Sequence, residues 1–130
     1  MRIAIVDDSG TARMFIRRCL EMAGFQEAEI IEAENGKDAL EKIRNAPVDL
    51  LLTDLTMPVM DGTTLLKWIK ANPKLSELPV LVISSAGNPA KELELKGLGA
   101  MGVLDKPVSP AKLNLLLSGF LEKGGQEGDQ

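Results

Sequence analysis

Residues 50–62 read LLLTDLTMPVMDG, and the fold follows from how that stretch is read. An apolar run, Leu50-Leu51-Leu52, meets a carboxylate at Asp54, breaks at Met57-Pro58 and turns again at Asp61-Gly62. Apolar runs this short, bounded by turn signals, read as strands buried on both faces. Asp54 then stands where a buried strand runs out, on the rim of an open parallel sheet where ligands collect. A single aspartate there reads more readily as a helix cap or loop residue, so the ends of the other strands decide.

Working outward, residues 3–6 (IAIV) stop at Asp7-Asp8, residues 80–83 (VLVI) stop at Ser84-Ser85, and Val103-Leu104 runs into Asp105-Lys106-Pro107. The segment Glu29 to Glu34 alternates apolar residues with glutamates and suits an edge strand. Between these runs the apolar spacing is helical. Ala12, Phe15, Ile16, Cys19, Leu20 and Ala23 form one stripe, capped by Ser9 and ended by Gly24; Cys19 lies on it as a packing residue. Ala39, Leu40 and Ile43 mark a second helix after Asn35-Gly36, and Leu65, Leu66 and Ile69 a third from about Gly62. The fourth, Pro89 to Lys96, is the weakest, with Ala90 and Leu93 expected inward and Leu95 on another side. The last opens at Ser109-Pro110 and carries Leu113, Leu116, Leu117, Phe120 and Leu121.

Five strands alternating with five helices predict an α/β fold: a flavodoxin-like, doubly wound, five-stranded parallel sheet of order 2-1-3-4-5. The domain is expected to span residues 1–122. The tail, residues 123–130 (KGGQEGDQ), has little to bury and is expected to be disordered.

With 130 residues, of which 45% are hydrophobic and 26% charged, the chain has room for one ordinary globular domain. A net charge of −4 argues against nucleic acid or an anionic membrane as the main partner. Cys19 is the sole cysteine, so no internal disulfide forms and a reducing, cytoplasmic setting is expected. The N-terminus does not read as a signal peptide, and no apolar run approaches the roughly 20 residues of a membrane span. The absence of histidine disfavours hydrolase triads and zinc sites.

In the 2-1-3-4-5 order, Asp7, Asp8, Asp54, Ser84 and Lys106 converge over one patch at the strand ends. Packed carboxylates repel one another, and a divalent cation removes that cost. Oxygen ligands without His or Cys suit Mg²⁺. Such a cation and Lys106 beside Asp54 make a phosphoryl-transfer site with Asp54 as nucleophile and Ser84 as a hydrogen-bond donor.

The motifs IVDDS (5–9), LLLTDLTMPVMDG (50–62), VLVISSAG (80–87) and LDKPVS (104–109) together resemble the receiver domain of two-component response regulators, single-domain CheY-like members in particular. The resemblance covers residues 2–121. It implies that Asp54 is the phosphoacceptor, supplied by a phosphohistidine on a sensor histidine kinase. It implies that Asp7, Asp8, Asp54 and the backbone carbonyl of Thr56 hold Mg²⁺, that Ser84 is the switch hydroxyl, that Lys106 contacts the phosphate, and that the Lys106–Pro107 bond is cis. The protein would be a monomeric signalling protein rather than an enzyme in the ordinary sense, assisting its own phosphorylation and dephosphorylation. It would pass its signal to a downstream docking protein, as chemotaxis regulators do at a flagellar motor, or to a phosphotransfer protein in a phosphorelay. Val103 departs from the pattern, because the family usually has an aromatic switch residue there. Thr56 and Ala86, which tune hydrolysis in this family, carry no carboxylate or amide here to hold an attacking water. Two other readings compete. A pseudo-receiver interaction module would have no use for the complete set of Asp7, Asp8, Asp54, Ser84 and Lys106. A magnesium-dependent phosphatase needs a second acid two residues after its nucleophile, where Thr56 stands.

Overall fold

A parallel sheet covered by helices on both faces needs strands that are apolar on both sides. In β1 (Arg2–Val6), Ile3 and Ile5 enter one core while Ala4 and Val6 enter the other. The same alternation recurs in β3 (Leu50–Asp54), with Leu50 and Leu52 opposite Leu51, and in β4 (Val80–Ser84), with Leu81 and Ile83 opposite Val80 and Val82. Each valine, leucine or isoleucine among them contributes roughly 1.5–3 kcal/mol by leaving water. A sheet wet on one face would leave half of them exposed. The chain is described here by a computed structural model, which covers residues 1–85 and 88–128, with side chains as far as residue 121.

The strands β2 (Glu29–Ala33) and β5 (Gly102–Asp105) complete a parallel sheet in the order β2-β1-β3-β4-β5, as the sequence predicts. The edge strand β2 is exposed at Glu29, half-buried along its middle and buried only at Ala33. Helices α1 (Gly10–Leu20) and α5 (Pro110–Gly128) cover one face. Helices α2 (Gly36–Asn45), α3 (Gly62–Ala71) and α4 (Pro89–Gly97) cover the other.

Local chemistry starts and stops these helices. The side chains of Ser9, Asn35, Asp61 and Asn88 accept from the amides of Ala12, Asp38, Thr64 and Lys91, capping α1 to α4. Ser109 Oγ accepts from Lys112 N at 3.2 Å and caps α5. Past Leu20 the chain continues in a wider turn over Glu21–Phe25, ended by Gly24 at φ 111°. A Cβ there would also lie 3.0 Å from Leu121.

Four details differ from the sequence reading, one of them on α5, where Leu116 is expected on the inward stripe and is 40% exposed. On α1 the stripe is narrower: Ile16, Cys19, Leu20 and Ala23 are buried, whereas Phe15 is 49% exposed. On α4 the assignment is reversed. Leu95 is wholly buried, Leu93 is 72% exposed and Ala90 is exposed. Residues two apart on a helix point about 200° apart, so only one leucine can face the sheet. Leu98, three residues on, joins Leu95 in the core on that face of the sheet and sets the phase. The last concerns the end of the chain: the α5 backbone runs to Gly128, where the sequence places the end of ordered chain at residue 122. Glycines 124 and 125 are poor helix formers and supply that earlier stop. Residues 129–130 of the expected tail lie outside the described residues.

Candidate functional site

Parallel strands deliver their last residues to one rim, and here the register brings the polar ends together. Val6 pairs with Thr53, Asp54 with Ile83, and Ser84 with Asp105. Asp7 continues from β1, its amide still donating to Ala33 O at 3.0 Å. Its side chain is 2% exposed, and its Oδ1 accepts from Ser9 N at 2.9 Å. Asp54 closes β3, 12% exposed, with Oδ1 accepting from Leu55 N at 2.9 Å.

Lys106 is anchored by its own backbone, which donates to Ser84 O at 2.8 Å, and the following bond to Pro107 is cis, as the resemblance implies. Its Nζ stands 3.4 Å from Asp54 Oδ1 and 3.6 Å from Asp7 Oδ2. These are ion-pair separations, too long for the 2.7–3.2 Å of a good N–H···O bond. Asp7 Oδ2 is therefore buried with no hydrogen bond among the described residues. Burial pushes the Asp7 carboxyl above the usual carboxylate range. The Ser9 amide and Lys106 oppose that shift, while the charges of Asp54 and Asp8 reinforce it.

Asp7, the exposed Asp8 and Asp54 each offer an oxygen, and the three oxygens lie within 4.8 Å of one another. A buried acceptor lacking a donor, facing two further carboxylates, is a set of donors that a small hard cation satisfies and that Lys106 alone does not. An all-oxygen set suits Mg²⁺ among biological divalent ions. The residues present fit such an ion.

The remaining predicted residues fall on the same rim. Ser84 is 4% exposed at the end of β4, next to Lys106 through its main-chain carbonyl. Thr56 lies two residues past Asp54 with its side chain exposed; Ala86 lies outside the described residues. Val103, in the middle of β5, is half-buried against the core beneath α2, α3 and α4.

The loop after Asp54 is tightly drawn. Gly62 N donates to Leu55 O at 2.9 Å, and a Cβ on Gly62 would sit 2.3 Å from Asp54 O. Only glycine allows that closure, so the MDG turn in the sequence is a packing requirement next to the nucleophile candidate.

Sequence reasoning missed one participant. Arg13 on α1 curls back over the strand-to-helix turn, Nη1 donating to Asp7 O at 2.5 Å and Nε to Glu32 Oε1 at 2.8 Å. One sequence carries no signal for this, since an arginine on a solvent-facing stripe looks alike whether it meets water or a carbonyl.

Comparison with known proteins agrees with this geometry. The family model of the response regulator receiver domain matches residues 3–118. Chemotaxis protein CheY1 of Helicobacter pylori is 34% identical over 114 residues, 87% of this chain and 90% of that protein. The chemotaxis protein CheY homolog of Campylobacter jejuni is 32% identical over 129 residues, 98% of each chain. The solved structure of the chemotaxis response regulator CheY4 of Vibrio cholerae is similar at a TM-score of 0.77 and 31% identity, covering 93% of this chain and 96% of that one.

Proposed function

The chain belongs to the response regulator receiver domain family, and from that premise we propose that Asp54 accepts a phosphoryl group from a phosphohistidine of a sensor histidine kinase. An Asp54 carboxylate oxygen attacks phosphorus, the P–N bond breaks, and the imidazole leaves with the electron pair. Lys106 neutralises charge on the phosphoryl oxygens, and the Ser84 hydroxyl donates to one of them. Asp7, Asp8, Asp54 and the Thr56 carbonyl hold Mg²⁺, which when bound neutralises phosphoryl charge. Positioning and charge are the main demands of this chemistry, so the absence of histidine is no obstacle.

The observation that carries the reading is the ammonium of Lys106 set 3.4 and 3.6 Å from two carboxylates, one with a buried oxygen that has no hydrogen bond among the described residues. That is a centre arranged for more charge than it holds. The phosphorylated protein, cytoplasmic and monomeric, then docks on a partner, a role supported by the chemotaxis relatives. Relay to a phosphotransfer protein is the second reading. It is favoured by Val103, whose β-branched side chain has one dominant rotamer and cannot swing as a ring does.

Incubation with a small acyl phosphate and Mg²⁺, followed by intact-mass measurement, tests the proposal. Wild type gains one phosphoryl group, and Asp54→Asn and chelator-treated protein gain none. Equal labelling of Asp54→Asn, or no labelling of wild type, overturns it.

A further inference from the structure

We propose that Arg13 is a positioning residue for the acidic cluster, its guanidinium holding the Asp7–Asp8 turn so that both carboxylates meet Asp54 around one divalent cation. The inference rests on the cation reading of that cluster. Asp7 is where the sheet stops supporting the chain. Its amide still bonds to Ala33 O, but its carbonyl has run out of ladder. In a continued parallel ladder the donor would be the amide of residue 35, and there the chain has already turned into the cap of α2. Arg13 Nη1 supplies that donor at 2.5 Å.

The guanidinium is itself aimed. Glu32, on the edge strand, accepts Nε at 2.8 Å and so fixes the plane of the fork. Its remaining nitrogen lies over Gly10, where a Cβ would be 3.5 Å away. Arg13 is thus clamped over the whole turn from Asp7 to Gly10, with its side chain only 20% exposed. The Ser9 amide that orients Asp7 Oδ1 lies inside this clamp. Glu32, Arg13 and the Asp7 peptide form a chain of contacts from the sheet edge to the cluster, the arrangement that usually orients metal ligands from behind.

Charge and geometry make opposite predictions for removing this side chain. By Coulomb's law alone, deleting a positive charge beside three acids tightens cation binding. If Arg13 positions the acids, deleting it weakens binding. The experiment is a Mn²⁺ titration read by the spin resonance of the free ion, at fixed ionic strength, on wild type, Arg13→Ala and Arg13→Lys. Amide exchange at Ser9 is followed in the metal-free proteins. We expect Mn²⁺ to bind Arg13→Ala about tenfold more weakly, with Arg13→Lys intermediate because lysine keeps the charge and loses the fork. The Ser9 amide should exchange faster in metal-free Arg13→Ala. Unchanged or tighter Mn²⁺ binding by folded Arg13→Ala overturns the proposal. If that variant does not fold, wild-type affinity in Arg13→Lys does so. A wild-type protein that takes no Mn²⁺ removes the cation reading itself. Unaltered Ser9 exchange in metal-free Arg13→Ala removes the role of Arg13 alone.

Discussion

The two rims of the sheet carry charge in opposite ways. At the rim where the strands begin, Arg2 is tied down by three hydrogen bonds. Its amide donates to Asp49 Oδ2 at 2.8 Å, its Nε to Glu29 Oε2 at 3.0 Å, and its Nη1 to Pro47 O at 2.9 Å. At the rim where they end, Lys106 hangs between two carboxylates at ion-pair distance, and Asp7 Oδ2 is buried without a hydrogen bond among the described residues. Charges whose hydrogen bonds are complete hold a chain together. Charges gathered with their bonding incomplete wait for something to be added. The difference separates scaffold from site without reference to any relative.

The strongest way to break this comparison is at Lys106. Lys106→Met should retain the fold by far-UV circular dichroism and slow phosphoryl uptake from an acyl phosphate by roughly 10²-fold, the usual effect of losing one donor to a developing charge. Uptake at the wild-type rate would mean that the unsaturated rim is incidental.

Asp61 gives a sharper, smaller test, because it stands at the same strand-end rim yet is satisfied. Its carboxylate caps α3 by accepting from Thr64 N at 2.8 Å, and that bond holds it below the usual carboxylate range. Asp61→Ala should cost about 0.5–1 kcal/mol at neutral pH in denaturant unfolding, with phosphoryl uptake close to wild type. A carboxylate whose folded pKa is depressed contributes stability above its ordinary pKa of 3.8 and loses it as pH falls through the lower folded value. The difference between the two proteins should therefore vanish in strong acid. A penalty that persists there would place the effect in packing rather than in the charged cap.

The smallest effect belongs to the opposite rim. Asp49→Ala removes an exposed acceptor and should lower stability by less than about 1 kcal/mol, leaving uptake unchanged. A loss of uptake there would mean that the rims are coupled through the strands.

Much of this was legible in the sequence because strand ends are. An apolar run that gives way to Asp7, Asp54, Ser84 or Asp105-Lys106 announces both the strand and the place where it ends, and a parallel sheet allows those ends only one meeting place. The phase of α4 was not legible in the same way. Nine residues with leucines two apart fix no stripe, and the decision fell to Leu98 and the sheet beneath. Phe15 was read as core because its spacing is helical, yet it lies at the margin of the buried face. Arg13 was invisible for a different reason: its partner is a main-chain carbonyl, which no residue type marks.

The two outer strands bear on how this molecule meets others. A free strand edge invites another chain to extend the sheet, and both edges here discourage it. Along β2, Glu29 and Glu32 point to opposite faces of the strand, and each is already paired to an arginine of its own chain. At the other side β5 is only four residues long and is followed by Pro107, which has no amide to offer. Self-association by strand addition, the route to aggregates and swapped dimers, is thereby discouraged. With both edges closed to pairing, contact with another chain is left to the helices and loops rather than to the sheet.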